Sequence, residues 1–408
     1  MKVLLLNQVF WPDTAATAQH GHDLARYLVS QGDSVTAVAS RSIYGDKGSS
    51  LPARDSVDGI EIHRVGRSLF GKKSTLGRAA DFVLFYIAAT FRVLTLPKHD
   101  VVVCFTTPPF ISAVGLLLRL FRGTRTVVWL MDMYPDVPVA AGMMRAGSLS
   151  HRFFEWLDRR ILRNSDAVVV LGRCMAERVR AKGVDPARMH LVNVWSDPNE
   201  IRVLPRSENP YRAEWSIGER FVVQYSGNFG IGHDMTAMCD AMRRLAGDDR
   251  IRWVMVGGGV RKKEVERAIS EGGIPNAVVA AHQPRARLGE LLALGDAHLV
   301  TIAPGFEGTL VPSKFYGVLA AAKPTLYVGP ATSEVARTVD ERRAGVAVAV
   351  GDGKALAEAI LAMVEDRAEA LAMGERGRRA TEQELGIAFA CAKWRAILAD
   401  VVAGRRRN

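Results

Sequence analysis

Short runs of β-branched and other apolar residues alternate along this chain with longer segments whose apolar positions recur at helical spacing. The runs cover residues 3–6, 34–39, 101–105, 126–130 and 167–171 in the first half. In the second half they cover 221–225, 252–256, 277–280, 298–302, 325–328 and 346–350. Runs apolar at nearly every position predict strands buried on both faces, and the intervening segments predict parallel sheets covered by helices on each side. So many strands exceed one comfortable sheet. A stretch dense in turn residues, Ser196-Asp197-Pro198-Asn199 through Pro205, Pro210 and Gly218, separates the two sets. The pattern therefore predicts an α/β chain of two doubly wound domains, residues 1–200 and 201–385. Each opens a crevice at the carboxyl ends of its strands, with ligand expected between the domains. Residues 386–408 add a helix over 386–402, carried by Phe389, Trp394, Ile397, Leu398 and Val401, placed to pack across onto the first domain.

Composition narrows the classes. The chain has 408 residues, 48% hydrophobic and 24% charged, which excludes a disordered or collagen-like chain and suits two globular domains. Cys104, Cys174, Cys239 and Cys391 lie far apart with no C-x-x-C, which argues against a disulfide framework or structural zinc and suits a reducing compartment. Lys2 leads straight into Val3-Leu4-Leu5-Leu6-Asn7, too short for a signal core, so no secretory signal is expected and the chain is placed in the cytoplasm. The charge-free run 101–118 just reaches the ~18 residues of a membrane span. Pro108-Pro109 in its middle prevents a continuous helix, so a strand, a turn and a helix over 110–121 fit better. The net charge of +11 points to an anionic partner: nucleic acid, anionic lipid or a phosphorylated small molecule. Nucleic acid ranks last, because no helix-turn-helix or aromatic-plus-basic module is present.

Three segments could carry chemistry. Gly257-Gly258-Gly259 follows one predicted strand and Gly227-Asn228-Phe229-Gly230 another. Each is either a tight turn or a place where backbone approaches a phosphate, with the helix start after Gly259 offering N–H groups to an anion. In the third, Glu307 to Tyr316, Pro312 or Ser313 is placed to open a helix running to about residue 322, with Ser313 as its N-cap. Lys314 in the first turn opposes the helix dipole unless an anion sits there, so it is either a solvated lysine or half of a phosphate clamp. Arg64, Arg67, Lys72, Lys73 and Arg78 occur without an intervening acid and precede the apolar run 82–91. They read as a solvated loop before a core helix or as a contact with an anionic membrane surface.

Taken in order, Tyr225 to Gly230, Val256 to Gly259, Pro312-Ser313-Lys314 and Ala320 to Pro324 resemble family 4 of the nucleotide-sugar glycosyltransferases. Phe10-Trp11-Pro12, Met131 to Asp136 and Asn193 to Asp197 are similar to its O-antigen, capsule and colanic-acid branch, of the fucosamine-transferase type. The resemblance implies the GT-B fold, two Rossmann-like domains with acceptor bound by the first and nucleotide sugar by the second. It implies a retaining, metal-independent hexosyltransferase with no cofactor, a donor linked to UDP, and a glycan or polyprenyl-diphosphate-linked acceptor at the inner face of the plasma membrane. Asp132, Glu307 and Lys314 become the catalytic candidates. Gly227, Asn228, Gly230, Gly257, Gly258, His282, Val311, Pro312 and Ser313 become the donor-binding candidates. The family's E-x7-E motif departs here, because its second carboxylate position falls on Phe315 or Gly317. Ile231 also stands where a basic residue often follows the Gly-Asn-x-Gly turn, leaving His233 as the nearest polar side chain. A nucleotide-sugar 2-epimerase and a catalytically silent binding subunit are the alternatives.

Overall fold

The computed structural model describes residues 1–43, 50–66 and 75–404. The chain divides into two units, Met1–Asn193 with Ala390–Asn408, and Val194–Phe389. In the first unit the described strands are β1 (Lys2–Leu6), β2 (Ser34–Ser40), β3 (Arg54–Val57), β4 (Ile60–Val65), β5 (Val101–Cys104), β6 (Arg125–Trp129), β7 (Ala167–Val170) and β8 (Met189–Leu191). They form one sheet in the order β3-β4-β2-β1-β5-β6-β7-β8. Its helices are α1 (Ala16–Ser30), α2 (Thr75–Thr95), α3 (Ser112–Arg122), α4 (Asp136–Ala140), α5 (Leu149–Asn164) and α6 (Arg173–Ala181).

Right-handed crossovers fix the layers. The connections β4 to β5, β5 to β6, β6 to β7 and β7 to β8 run the same way along the sheet, so α2, α3, α5 and α6 cover one face. The connection β1 to β2 runs the other way and puts α1 on the opposite face. Phe85, Ala89 and Val93 of α2 and Val114 and Leu118 of α3 accordingly share a core with Leu4, Leu6, Val102 and Cys104. At Gly115 a side chain would lie 2.7 Å from Cys104 Sγ, so α3 sits close on the sheet because that position is bare.

The long apolar runs become strands. Those lacking such runs, β3, β4 and β8, do not stand out in the sequence. β4 reads Ile-Glu-Ile-His-Arg-Val, and β3 is an edge strand antiparallel to it, a departure from the all-parallel expectation. The hairpin between them turns on Asp58 and Gly59, both at positive φ, which the two-residue turn requires. Arg64 corrects the basic-patch expectation. It is 3% exposed, and its guanidinium donates to Asp55 Oδ2 at 2.9 Å and to the Trp11 carbonyl at 2.8 Å. Arg67, Lys72, Lys73 and the side chain of Arg78 lie outside the described residues, as does the tail Arg405-Arg406-Arg407.

In the second unit the described strands are β9 (Phe221–Ser226), β10 (Ile251–Val256), β11 (Ala277–Ala280), β12 (Ala297–Thr301), β13 (Thr325–Val328) and β14 (Gly345–Val348). The order β11-β10-β9-β12-β13-β14 is the doubly wound 3-2-1-4-5-6 arrangement, all parallel. Its helices are α7 (Pro210–Glu214), α8 (Thr236–Arg244), α9 (Lys262–Glu271), α10 (Leu288–Leu294), α11 (Lys314–Ala320), α12 (Glu334–Arg342), α13 (Gly353–Glu365) and α14 (Arg367–Ala380). Phe221, Tyr225, Trp253 and Met255 are buried between this sheet and α8 and α13.

The last helix, α15 (Ile387–Val402), sets the Trp394 ring 4.5 Å from that of Trp129, and Arg395 pairs with Asp33 at 2.9 Å. All four cysteines are free and buried. Among the described residues no helix is long and apolar enough to cross a membrane, and the run 101–118 is β5, a turn and part of α3.

Candidate functional site

In the second unit the strand order reverses between β9 and β12, and the loops leaving their carboxyl ends diverge there. The loop after β9 carries Gly227, Asn228 and Gly230; the loop after β10, beside it, carries Gly257, Gly258 and Gly259. These loops stack backbone on backbone. Gly227 N–H donates to the Val256 carbonyl at 2.9 Å, and Phe229 N–H to the Gly258 carbonyl at 2.8 Å. A Cβ on Gly257, whose φ is 137°, would lie 1.9 Å from the Gly227 carbonyl oxygen, so no other residue allows this approach. Asn228 Nδ2 stands 3.0 Å from where a Cβ on Gly230 would be, and exposed His282 brings Nε2 to 3.4 Å from the equivalent point on Gly258.

One expectation fails at α9. The N–H groups of Arg261 and Lys262, expected to face an anion, donate instead to the carbonyls of Phe229 at 3.0 Å and Gly259 at 3.2 Å. Glycine loops leave their carbonyls uncovered, and these take up the donors of the helix start.

Lys314 reaches this bundle from the other side. It is the first residue of α11, a short helix ending at Ala320, with Ala322 at φ 55°. Ser313 does not cap it. That residue is already helical (φ −58°, ψ −27°) and makes no capping hydrogen bond, so its hydroxyl is not turned back on the helix. Pro312 is buried, and Val311 and Ser313 are half-buried. The Lys314 ammonium sits over the Tyr225 ring, 3.7 Å from its centroid, and 3.3 Å from where a Cβ on Gly227 would be. It is sealed from solvent and has no hydrogen-bond acceptor among the described residues. Burial without a counter-ion lowers its pKa to about 7.

Around it lie cations and neutral groups. His233 Nδ1 is 2.6 Å from the Thr301 carbonyl, which can only accept, so this nitrogen carries the proton. Burial, with Lys314 nearby, lowers the His233 pKa to about 3 and keeps the ring neutral. Arg261 donates to the His233 carbonyl and is held by Glu264 at 2.8 Å. The basic residue absent at Ile231 thus reaches the turn from the loop after β10. The sequence signal for it is weak, an arginine two residues beyond three glycines. The role of Tyr225 as the seat of Lys314 has no sequence signal, because the two positions are far apart in the chain.

Glu307 lies half-buried on the loop after β12, flanked by Gly305 and Gly308 at positive φ and bridged to Leu310. Phe306 and Leu310 of this loop pack against Gly232, which ties it to the loop after β9. Phe315 is buried in the core, and a Cβ on Gly317 would lie 3.4 Å from Leu292, so neither position of the departed second carboxylate faces open space. The second unit thus gathers its three glycine-rich or acidic loops and Lys314 at one strand-order reversal.

Asp132 belongs to the first unit, just beyond β6. Its N–H donates to Thr106 Oγ1 at 3.2 Å, and burial raises its carboxyl pKa to about 6. The same loop ends at Asp136, whose carboxylate is held by Lys182 Nζ at 2.6 Å; that ammonium also meets Asp158 at 2.7 Å and Glu155 at 3.1 Å. The three carboxylates close around the lysine and raise its pKa.

Known proteins match this arrangement over most of its length. Residues 16–195 match the glycosyl transferase 4-like domain and residues 220–366 the glycosyl transferases group 1. A probable glycosyltransferase WbjE of Pseudomonas aeruginosa is 30% identical over 279 residues, 68% of each chain. The putative colanic acid biosynthesis glycosyl transferase WcaI of Escherichia coli K12 is 24% identical over 362 residues, 86% of this chain and 88% of that one. Among solved structures, sucrose-phosphate synthase of Thermosynechococcus elongatus superposes with a TM-score of 0.80 at 14% identity, covering 99% of this chain and all of that one. Anabaena HepE in complex with UDP-glucose gives 0.72 at 14% identity, with 99% and 100% covered. The two doubly wound units are those of the GT-B architecture, and relatives named as glycosyltransferases do not favour the epimerase alternative.

Proposed function

Since the chain belongs to the glycosyltransferases with a 4-like domain followed by a group 1 domain, we propose that it moves a hexose from a UDP-linked donor to a glycan or polyprenyl-diphosphate-linked acceptor with retention. The setting is cell-surface polysaccharide synthesis, by likeness to the fucosamine-transferase branch and to the relative named for colanic acid. The observation that carries the donor reading is Lys314: a sealed ammonium, with no anion of its own, between the loops of a strand-order reversal. Such a charge is stable only beside a bound anion, and a nucleoside diphosphate supplies one.

As the sugar–phosphate bond breaks, negative charge gathers on the leaving phosphate oxygen. Lys314, with backbone N–H groups of the glycine loops, stabilises it, an effect of ~3–4 kcal/mol for a well-placed donor. The acceptor hydroxyl attacks from the side of the leaving group, and its proton passes to the departing phosphate. Glu307 holds the sugar hydroxyls, and Asp132 is the catalytic candidate that the first unit contributes. No metal or cofactor enters this scheme, so transfer should persist in a chelator.

A thermal-shift panel of UDP, GDP, ADP and their sugars tests the reading. A nucleotide at 100 times its dissociation constant stabilises by ~2.7 kcal/mol, and UDP should do so first. No shift with any nucleotide would overturn it.

A further inference from the structure

Cations also gather at the other end of the second sheet, where its strands begin. Asp296, just before β12, stands among them. Its N–H donates to the Val222 carbonyl and its Oδ2 accepts the Val222 N–H, each at 2.8 Å, which pins it to the start of β9. On its other side the register pairs His298 with Thr325, and so carries Lys323 to the place beside Asp296 at the start of β13.

One carboxylate does not balance the charge around it. Arg206 Nη1 donates to Asp296 Oδ1 at 2.8 Å, and its Nη2 donates to the carbonyls of Glu219 and Arg220. The Glu219 carboxylate, 3.8 Å from Arg206, reaches out into solvent. Arg212 of α7 spends Nε and Nη2 on the carbonyls of Gly218 and Arg220. Its Nη1 is sealed, has no hydrogen-bond acceptor and stops 3.8 Å from Asp296 Oδ2. Lys323 makes no hydrogen bond or ion pair among the described residues. Both side chains are deeply buried, Arg212 at 8% exposure and Lys323 at 7%. Burial, with Arg206 and Arg212 alongside, lowers the Lys323 pKa. In a closed ion knot the charges cancel; here two buried cations remain once Arg206 has taken Asp296. Arg212 cannot shed its proton, and a buried charge without a partner is costly.

We infer that Arg206, Arg212 and Lys323 form a second oxyanion site, which takes a phosphate dianion either free or on a small ester. Arg212 Nη1 and the Lys323 ammonium supply the two charges that Asp296 leaves over, and phosphate matches them in charge and in acceptor oxygens. The site is separate from the donor loops. β12 leads from Asp296 to Thr301, whose carbonyl holds His233 at the other end, about 17 Å away at ~3.3 Å per residue. No residue of the donor loops takes part, so the site stands independently of the proposed donor.

The test is calorimetric titration of inorganic phosphate into the full chain, with ionic strength held constant by chloride. Lys314→Ala removes the ammonium of the donor loops, and phosphate should still bind this variant at one site. Adding Lys323→Met or Lys323→Gln should weaken that binding at least tenfold. Phosphate should raise the melting temperature of Lys314→Ala and leave that of either double variant unmoved. Without phosphate the double variants should melt no lower than Lys314→Ala, because they have lost an unpaired buried charge. Glycerol 3-phosphate in the same titration separates the sources: tighter binding than phosphate assigns the site to an ester, weaker binding to the free ion. No phosphate binding to Lys314→Ala, or equal affinity with and without Lys323, would overturn the site. UDP should bind Lys323→Met as it binds the parent. Loss of UDP binding in both would count against the donor reading and leave the phosphate result standing.

Discussion

The ammonium of Lys314 rests 3.7 Å from the centroid of the Tyr225 ring, with its pKa lowered from 10.5 to about 7. Between those values the unfolded chain binds a proton that the folded chain does not. Folding is therefore opposed at and below neutral pH and relieved as pH rises toward the unfolded value. Without ligand, Lys314→Met should be more stable than the parent, most at and below neutral pH, with the gain shrinking across that window and vanishing above it. Melting temperatures of both proteins across the range check this; parallel curves would mean that Lys314 keeps its proton throughout.

Asp132 behaves oppositely. Its pKa is raised from 3.8 to about 6, so the folded chain holds a proton that the unfolded chain has lost, and stability falls as pH rises through that interval. Asp132→Asn should raise the melting temperature at neutral pH by a few degrees while lowering turnover at least tenfold. Parent-like turnover would remove Asp132 from the catalytic candidates.

Gly257 should tolerate no side chain. Gly257→Ala forces a Cβ to within 1.9 Å of the Gly227 carbonyl at a φ of 137° and should cost about 3 kcal/mol in denaturant melts. Gly258→Ala meets only the edge of His282 at 3.4 Å and should fold like the parent.

Lys182→Met leaves buried Asp158 and half-buried Asp136 and Glu155 together without their cation. The loss should be about 3 to 5 kcal/mol at neutral pH. Near pH 4 it should shrink, because burial raises the Asp158 carboxyl to about 6 and it then carries a proton.

The strands buried on both faces are legible in the sequence because nearly every position along them is apolar. β3, β4 and β8 are not: an edge or near-edge strand tolerates Glu61 and Arg64, and the alternation is too short to read. Arg64 looks like a surface cation because its acceptors, Asp55 and the Trp11 carbonyl, arrive from other segments. Gly227 and Gly257 could be singled out as turns, but that Gly257 must be bare against the Gly227 carbonyl, and Gly227 against Lys314, follows only from the stacking of their loops. Ser313 carries the right side chain for a cap, yet the backbone is already helical there, and local residue type does not reveal this. The seat of Lys314 joins two strands' worth of sequence and is legible only in three dimensions.

In the proposed function, Lys314 holds the diphosphate while Glu307 holds the sugar. Calorimetric titration of UDP into the parent, Lys314→Ala and Glu307→Gln tests it most directly. Lys314→Ala should bind UDP at least tenfold more weakly, ~1.4 kcal/mol, and Glu307→Gln should bind it as the parent does. Equal loss of affinity in both variants, or UDP binding untouched by Lys314→Ala, would contradict it.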